Sequence, residues 1–311
     1  MPLQEKRMVK IAEILRYIEE LGVTYDYMGC DTVEIETFCP LRNLKDKAIT
    51  WVRHFADISV PQFCGREDVV LLADFAEKQE ATGINIVWVD NPHRTYFKVL
   101  EKFFGERNPD KKECMIEKSS VVESRNIGKN VYIGHQCYIG ADVVIGDRVT
   151  ILHHVTIQGK VEIGSDTVIE SGTVIGACGF GFYEDFDGNQ ECVPHLGGVK
   201  IGSHVKIGAN NSISRGCLDD TVLEDYVKTD NLCHIAHNDY IKRGAMLTAG
   251  VLIAGSTTVG ENVWLAPGSV LNNAITVGKD SYFGLGAVAT KDVPENKVMV
   301  GVPAKALRDH K

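Results

Sequence analysis

The sequence predicts a parallel β-helix made of hexapeptide repeats, preceded by a small α/β domain. Isoleucine returns nine times at a spacing of six from Ile127 to Ile175, and a mostly aliphatic pattern of the same spacing continues to Phe283. Residues 1–110 lack that period. Residues six apart would be scattered around a helix of 3.6 residues per turn, whereas each side of a triangular coil would turn one of them inward.

The repeat also sets distances along the predicted coil. Its sides amount to between seven and eight coils over 127–283, and residues 18 apart fall on the same corner of successive coils. Successive coils lie about 4.8 Å apart, the spacing of neighbouring strands. Gly or Glu follows most of the isoleucines, as at Gly128 and Gly146. We expect these residues to form corners with an unusual φ, which glycine tolerates.

Two interruptions break the six-residue pattern, at 177–200 and at 215–222. The first contains the segment ACGFGFYEDFDGNQECVPHLGG, residues 177–198. A rigid coil does not need such a loop for its core, and long insertions in repeat proteins usually lie on a binding face. We therefore expect this loop to lie at the substrate site, with His195 as a candidate contact.

The regions outside the repeat predict a separate domain and a short tail. The apolar spacing over 11–21 predicts a helix that ends at Gly22, and a second helix is expected to begin near Asn91. Strands are predicted at 32–38, 69–72 and 84–89. The expected organisation is an α/β domain at 1–110, a hinge at 108–112, the β-helix with its loop at 111–290, and a tail at 291–311 that closes the last coil.

The overall composition argues against several classes of partner. Across 311 residues the formal net charge is −9 and no segment concentrates Lys and Arg, so binding to nucleic acid or an anionic membrane is not expected. No apolar run reaches the roughly 18 residues of a membrane span, and the charged N-terminus does not resemble a signal peptide. We expect a cytoplasmic protein without stable membrane insertion. Its nine cysteines are scattered without a CxxC pair, which favours packing over zinc binding.

Several stretches of the chain match a known family: IGACGFGF, HLGGVKIGSHVKIGANNSISRGCLDDTV, DNLCHIAHN and AGSTTVG, with KAITWV and VDNPHRTYFKVL in the N-terminal region. They resemble the N-acyltransferase family of lipid A synthesis, whose members acylate the 2-amino group of UDP-3-O-(3-hydroxyacyl)glucosamine. It implies a left-handed coil, a nucleotide-binding N-terminal domain, and a homotrimer with active sites in the grooves between subunits. It also implies an acyl thioester as co-substrate, with no tightly bound cofactor and no metal.

The tail departs from that family. The lipid A enzymes carry a C-terminal helical extension associated with acyl carrier protein, whereas GAVATKDVPENKVMVGVPAKALR resembles hexapeptide acetyltransferases that use coenzyme A. Gly286, Ala287, Lys291 and Lys305 are the coenzyme-binding candidates in this segment. The sequence therefore favours a coenzyme A donor with a short acyl group, and a nucleotide-linked aminosugar of a surface polysaccharide as acceptor. The alternative is the lipid A enzyme itself, with a long 3-hydroxyacyl chain on acyl carrier protein.

The DNLCHIAHN motif supplies the candidate catalytic residues. An amine that attacks a thioester needs a base to accept its proton and donors to hold the developing oxyanion. Histidine suits the first role because its ordinary pKa lies near neutral, and the match to the family motif assigns it to His237. Gly255 follows 18 residues later, so its backbone N–H is expected one coil along, facing the thioester carbonyl. Asp230 and Asn238 flank the site and are expected to orient the imidazole or the sugar.

Residues of the N-terminal domain are candidates for binding the nucleotide. Trp51 is expected either to stack on the base or to pack in the core of the small domain, with His54 as a second substrate contact. In the DNLCHIAHN motif, Cys233 is an alternative nucleophile that would form a covalent acyl-enzyme. Direct transfer from the thioester to the amine needs no such intermediate.

A metal site is the remaining alternative. His234 could pair with His237 on a metal ion, but no carboxylate or cysteine spacing completes such a site. A zinc-dependent or non-catalytic trimer would need histidines that meet between subunits, for which His135, His153 and His154 are the candidates.

Overall fold

The computed structural model describes residues 8–58, 63, 66, 68–79, 83–105 and 114–310. The chain divides into two compact units, Met1–Pro109 and Asp110–Lys311. The predicted hinge at 108–112 lies outside the described residues.

The N-terminal unit is built around a five-stranded sheet. In spatial order its strands are Tyr25–Met28, Asn85–Val89, Val70–Asp74, Ala48–Trp51 and Thr37–Phe38. The first pair is antiparallel and the others are parallel. The described part of the unit also contains the helices Ile11–Glu20 and Pro92–Phe103 and the 3₁₀ turns Leu41–Asn43, Phe55–Asp57 and Phe75–Glu77.

Both helices confirm the prediction from apolar spacing and caps. Ile11, Ile14 and Ile18 bury one face of the first helix, and Gly22, with a φ of 69°, follows its end. The second helix is capped by Asn91, whose side-chain oxygen accepts the Arg94 N–H at 2.9 Å.

The single strand predicted at 32–38 is wrong in part, because the chain changes partner halfway. Glu34–Ile35 pairs with Val9–Lys10 in a separate ribbon, whereas Thr37–Phe38 joins the main sheet. Between them, the N–H groups of Glu36 and Thr37 both donate to the carbonyl of Lys47.

The second unit is a parallel β-helix with three long sheets, which confirms the predicted fold. The first sheet contains Met115–Ile116, Tyr132–Ile133, Thr150–Ile151, Val168–Ile169, Lys206–Ile207, Lys228–Thr229, Met246–Leu247, Trp264–Leu265, Tyr282–Phe283, Lys297–Val300 and the antiparallel Lys305–Asp309. The second contains Val121–Val122, Tyr138–Ile139, Thr156–Ile157, Val174–Ala177, Ser212–Ser214, His234–Ile235, Leu252–Ile253, Val270–Leu271 and Val288–Ala289. The third contains Asn126–Ile127, Val143–Ile145, Val161–Ile163, Val199–Ile201, Thr221–Leu223, Tyr240–Ile241, Thr258–Val259 and Thr276–Val277.

The six-residue pattern forms the core of the coil. Its members from Ile133 to Phe283 are buried, as the inward-facing side of each strand requires. The ladder begins at Met115, within the predicted domain of 111–290 but before the six-residue pattern starts, and it continues to Val300 in the segment predicted as the tail. The last coil is two residues shorter than the regular 18-residue coil, so that Val277 pairs with Val293.

The role predicted for the corner glycines is wrong at Gly128 and Gly146, although Gly176, directly after Ile175, has a φ of 84°. In most coils positive φ falls instead on the third residue after the inward one, as at Asn130 and Asn238. The glycine directly after the isoleucine is needed for space: a Cβ on Gly128 would lie 2.5 Å from the carbonyl carbon of Gly146 in the next coil. Successive corners therefore stack backbone on backbone.

The loop and the tail leave the coil in different ways. Residues 177–198 form a hairpin of Phe182–Glu184 against Gln190–Cys192. In the tail, Lys297–Val300 adds a parallel strand to the first sheet, and Lys305–Asp309 folds back on it. Among the described residues, neither helix has the length and apolar character needed to span a bilayer.

Candidate active site

The second sheet brings His237 and Gly255 together on one corner of neighbouring coils. The strands that lead into this corner, His234–Ile235 and Leu252–Ile253, pair in register. At the corner itself, the Ser256 N–H donates to the His237 carbonyl at 2.9 Å. A Cβ atom on Gly255 would lie 2.7 Å from Cε1 and 2.8 Å from Nε2 of His237. The imidazole therefore lies directly against the Gly255 backbone.

Hydrogen bonds determine which nitrogen of His237 carries the proton. Nδ1 lies 3.1 Å from Oδ1 of Asn238. The orientation of that amide is set by two backbone contacts, since Oδ1 accepts the Cys217 N–H at 3.0 Å and Nδ2 donates to the Asp219 carbonyl at 3.1 Å. An oxygen facing Nδ1 requires Nδ1 to be the donor, so the neutral imidazole keeps its lone pair on Nε2.

The backbone N–H of Gly255 belongs to the corner that the imidazole contacts. The neighbouring N–H groups of Ala254 and Ser256 donate to carbonyls of adjacent coils, but the Gly255 N–H has no acceptor within the described residues. A basic nitrogen and a backbone donor thus share one small region, and neither is used by the fold. Such a pair can accept a proton and hold a developing oxyanion.

The inserted loop closes the opposite side of the His237 ring. The rings of His195 and His237 lie 5.4 Å apart at 75°, and a Cβ on Gly179 would lie 2.8 Å from His237 Cδ2 and from His195 Nε2. His195 is 7% exposed, and its Nδ1 donates to the Val193 carbonyl at 2.8 Å. Its Nε2 has no partner in the described part of the chain. His237 is therefore held between the loop and the Gly255 corner.

A cavity of about 630 Å³ opens in front of this corner. Polar and apolar side chains alternate around it, and the residues that line it are Ala177, Cys178, Phe180, Ser212, Ser214, His234, Ala236, His237, Leu252, Ala254, Gly255, Ser256, Asn273 and Ala274. Burial lowers the pKa of His234, which favours its neutral form.

Several predicted residues lie away from this cavity. Asp230 occupies the corner before His237, where its Oδ1 accepts the N–H of the next residue. Gly286 lies at an open corner with a φ of 62°, and the side chain of Ala287 is buried in the coil. Lys305 belongs to the folded-back strand of the first sheet. Lys291 is exposed and continues the corner column of His237 and Gly255, two coils beyond Gly255.

A second cavity, of about 300 Å³, lies in the N-terminal unit at the carboxyl ends of its parallel strands. Trp51 lies on its wall, with its ring 4.7 Å from that of His93, and the remaining lining residues are Arg53, Asp74, Asp90, Asn91 and Pro92. His54 is not among them. Its Nδ1 lies 2.9 Å from the Glu77 carboxylate, and this contact lowers the pKa of Glu77.

The structure also bears on the covalent and metal alternatives. Burial raises the pKa of the Cys233 thiol to about 11, and its Sγ donates to the Thr248 carbonyl at 3.2 Å, so the thiolate that a nucleophile needs is disfavoured. The His135 N–H donates to Nδ1 of His153 at 2.9 Å within one subunit. Among the described residues, no group of three His, Cys, Asp or Glu side chains is arranged to hold a metal ion.

Sequence reasoning missed two residues of this corner, Gly179 and Asp239. Gly179 belongs to the GFG segment, which is too short to interpret alone. Asp239 is fully buried and follows Asn238 directly. The signal that could have revealed it is its register: it stands directly before a strand of the third sheet, at the position where three earlier coils carry Val143, Val161 and Val199.

Comparisons with known proteins agree with the fold. Residues 126–159 and 142–177 match the bacterial transferase hexapeptide profile of six repeats. Among solved structures, a UDP-N-acetylglucosamine acyltransferase of Bacteroides fragilis shares 24% identity over 63% of this chain and 75% of that one, with a TM-score of 0.56. LpxA of Acinetobacter baumannii shares 22% identity over 63% and 74% of the two chains, also with a TM-score of 0.56.

Three curated relatives carry the name of one enzyme. The UDP-3-O-acylglucosamine N-acyltransferase 2 of Legionella pneumophila strain Lens is 53% identical over 89 residues, 29% of this chain and 26% of that protein. The UDP-3-O-acylglucosamine N-acyltransferase of Bordetella parapertussis is 40% identical over 131 residues, 41% and 36% of the two. A probable mitochondrial counterpart of Arabidopsis thaliana is 37% identical over 135 residues, 43% and 44% of the two. The chain thus spans less than half the length of these relatives.

Proposed function

We propose that this protein is an N-acyltransferase that moves an acyl group from a thioester to the amine of a UDP-linked, 3-O-acylated aminosugar. The observation that carries the proposal is the pairing of a basic His237 Nε2 with an unused Gly255 N–H on one corner of the coil. The common name of the curated relatives supports the acceptor. It favours the lipid A alternative over the short-chain reading that the tail suggested.

The chemistry follows from the two groups. The amine nitrogen attacks the thioester carbonyl carbon and forms the C–N bond, while His237 Nε2 accepts the amine proton. The Gly255 N–H donates to the carbonyl oxygen as negative charge develops on it. Asn238 Oδ1 accepts the Nδ1–H and so favours the imidazolium that forms. The C–S bond then breaks, and the imidazolium returns its proton to the leaving thiolate.

The same corner column suggests how the donor lies. Coenzyme A and acyl carrier protein both carry the acyl group on a phosphopantetheine arm, with a phosphate at the end opposite the thioester. Gly255, Asn273 and Lys291 follow His237 at steps of 18 residues. Three steps of about 4.8 Å place Lys291 about 14 Å from the base. In this proposal the arm runs along the column and Lys291 meets its phosphate.

The acceptor nucleotide is assigned to the cavity at Trp51. The carboxyl ends of parallel strands are the usual ligand edge of such sheets, and the second helix begins there at Pro92. Trp51 offers an aromatic face for the base, Arg53 and the helix N-terminus attract a diphosphate, and Asp90 can accept from ribose hydroxyls. The homotrimer implied by the family resemblance remains part of the proposal.

The test is a panel of acceptors and donors with mass spectrometry of the products. The acceptors are UDP-3-O-acylglucosamine and UDP-, dTDP- and GDP-linked aminosugars, each offered with 3-hydroxyacyl carrier protein and with acetyl coenzyme A. Transfer of the 3-hydroxyacyl group to UDP-3-O-acylglucosamine is the expected result. Transfer confined to acetyl coenzyme A and another aminosugar would establish the short-chain alternative. His237→Ala should abolish transfer while the fold is retained, and full activity in that variant would disprove the mechanism.

A further inference from the structure

A buried polar file, the row formed by Thr221, Asp239 and Thr257 in successive coils, lies beneath the His237 corner. The residues that open successive strands of the third sheet face inward, and in the coils before the site they are valines, at Val143, Val161 and Val199. In the next three coils the same register holds Thr221, Asp239 and Thr257, all fully buried, and Ile275 follows. The polar residues therefore coincide with the coils that carry Asn238, His237 and Gly255.

The central member of the file ties two coils together. Oδ2 of Asp239 accepts the Ala236 N–H at 2.9 Å, and Oδ1 accepts the Thr257 N–H at 2.9 Å. Ala236 immediately precedes His237, and Thr257 lies two residues after Gly255. One carboxyl group thus spans the backbone that presents the base and the backbone that presents the N–H donor.

The two threonines extend the same ties along the corner. Thr221 Oγ1 accepts the Asn238 N–H at 2.9 Å, which fixes the residue whose amide orients the His237 ring. Thr257 Oγ1 donates to the Asn272 carbonyl at 2.8 Å, in the coil beyond Gly255. The file therefore contacts every corner segment on which the proposed chemistry depends.

Stability alone does not explain a carboxyl group at this position. Valine fills the same register in three other coils, and a buried carboxyl group is costly to desolvate. Burial in fact raises the pKa of Asp239 to about 8, despite the two backbone hydrogen bonds that favour its ionised form. Elsewhere in the coil a neutral side chain makes the same tie, since Thr173 Oγ1 accepts the Asn211 N–H at 3.1 Å and Asn211 Oδ1 accepts the Cys233 N–H at 2.8 Å. The tie between coils therefore does not require a carboxyl group.

We propose that Asp239, supported by Thr221 and Thr257, is a positioning residue that sets the His237 imidazole against the Gly255 N–H. The inference rests on the proposed function, because it states what the two groups are held in place to do. Asp239 itself touches neither substrate.

The test replaces Asp239 by the residue that the fold uses elsewhere. Asp239→Val should retain the β-helix, with an unfolding temperature equal to or above that of the unmodified protein. Its kcat should fall about tenfold or more, with KM for both substrates within about twofold, since displacement of a catalytic group impairs the reaction rather than binding. Val161→Thr, a change of side-chain polarity in the same register two coils before Thr221, is the matched control and should leave kcat unchanged. A folded Asp239→Val enzyme with unchanged kcat overturns the proposal. If this variant does not fold, Asp239→Thr, with the residue type of the flanking coils, decides in the same way.

A second measurement separates the positioning role from the proposed reaction. In protein labelled with ¹⁵N-histidine, the ring nitrogen shifts of His237, identified by their loss in His237→Ala, report which nitrogen carries the proton. The unmodified protein should show the Nδ1–H form, and Asp239→Val a mixture of the two. An unchanged tautomer in the folded variant overturns the positioning role. Absence of acyl transfer by the unmodified protein would instead refute the proposed function and leave this comparison intact.

Discussion

Replacing Gly255 by alanine tests the contact between the base and the neighbouring coil. The added Cβ would lie 2.7 Å from Cε1, 2.8 Å from Nε2 and 3.0 Å from the carbonyl oxygen of His237. Carbon contacts settle near 3.5–4.0 Å, so the imidazole must withdraw by about 0.7–1.3 Å. A displacement of about 1 Å can reduce the rate about 100-fold. At about 1.36 kcal/mol per tenfold, that corresponds to about 2.7 kcal/mol of transition-state stabilisation.

The assay is steady-state kinetics with the best donor and acceptor pair, together with thermal unfolding. Gly255→Ala keeps the backbone N–H, so the loss should appear in kcat and report the displaced base. Gly140→Ala is the matched control, because Gly140 lies at a corner of the same sheet and its added Cβ would meet nothing closer than 3.5 Å. We expect that variant to keep full activity. A Gly255→Ala enzyme with kcat within about threefold of the unmodified protein would refute the assignment of His237 as a base held against this glycine.

Three further predictions concern pH, the buried thiol and the donor. The pKa of Asp239 is raised to about 8 from an ordinary value of 3.8, so the folded state binds the extra proton between these limits and its stability falls as pH rises through them. Urea unfolding at pH 5 and pH 8 should therefore show Asp239→Val gaining stability relative to the unmodified protein at the higher pH; a constant difference contradicts this. Cys233→Ala should keep kcat within about twofold, because the thiol is protonated and directed inward; loss of turnover in a folded variant would favour a covalent route. Lys291→Ala should raise KM for the thioester donor severalfold without changing kcat, whereas Lys279→Ala, an exposed lysine on another corner, should not; equal effects would remove Lys291 from the donor site.

The architecture of the coil could be predicted because it depends on a strictly local rule. A residue every six positions, from Ile133 to Phe283, is enough to fix the inward face of each side. The corners were harder to predict, because a glycine there can be needed either for its φ or for space. Gly128 is predicted for its φ, whereas the close approach of the Gly146 backbone is what requires it. Only the positions of neighbouring coils reveal that approach.

Residues of the candidate site could be predicted only where the repeat fixes their relative positions. The 18-residue step predicts that Gly255 lies beside His237, but it gives no information on side-chain partners. His54 was predicted as a substrate contact, yet it turns to Glu77 and away from the Trp51 cavity, a pairing between residues 23 apart that no local pattern encodes. Asp239 was not predicted, because its polarity is unusual only by comparison with Val143, Val161 and Val199 at the same register of earlier coils.

The loop at 177–198 leaves the second sheet at a register shift between Ile175 and Ala177, and it does not interrupt the third sheet. Val161 pairs with Val199 and Ile163 with Ile201 although 38 residues separate the members of each pair, and the third sheet continues unbroken across the insertion. The rise from one rung of the third sheet to the next therefore does not depend on the length of the loop. The loop residues that pack against His237, which are Gly179 and His195, lie near its two ends. Under the proposed function, exchange of the segment between them would change acceptor preference while the ladder and these two contacts are kept.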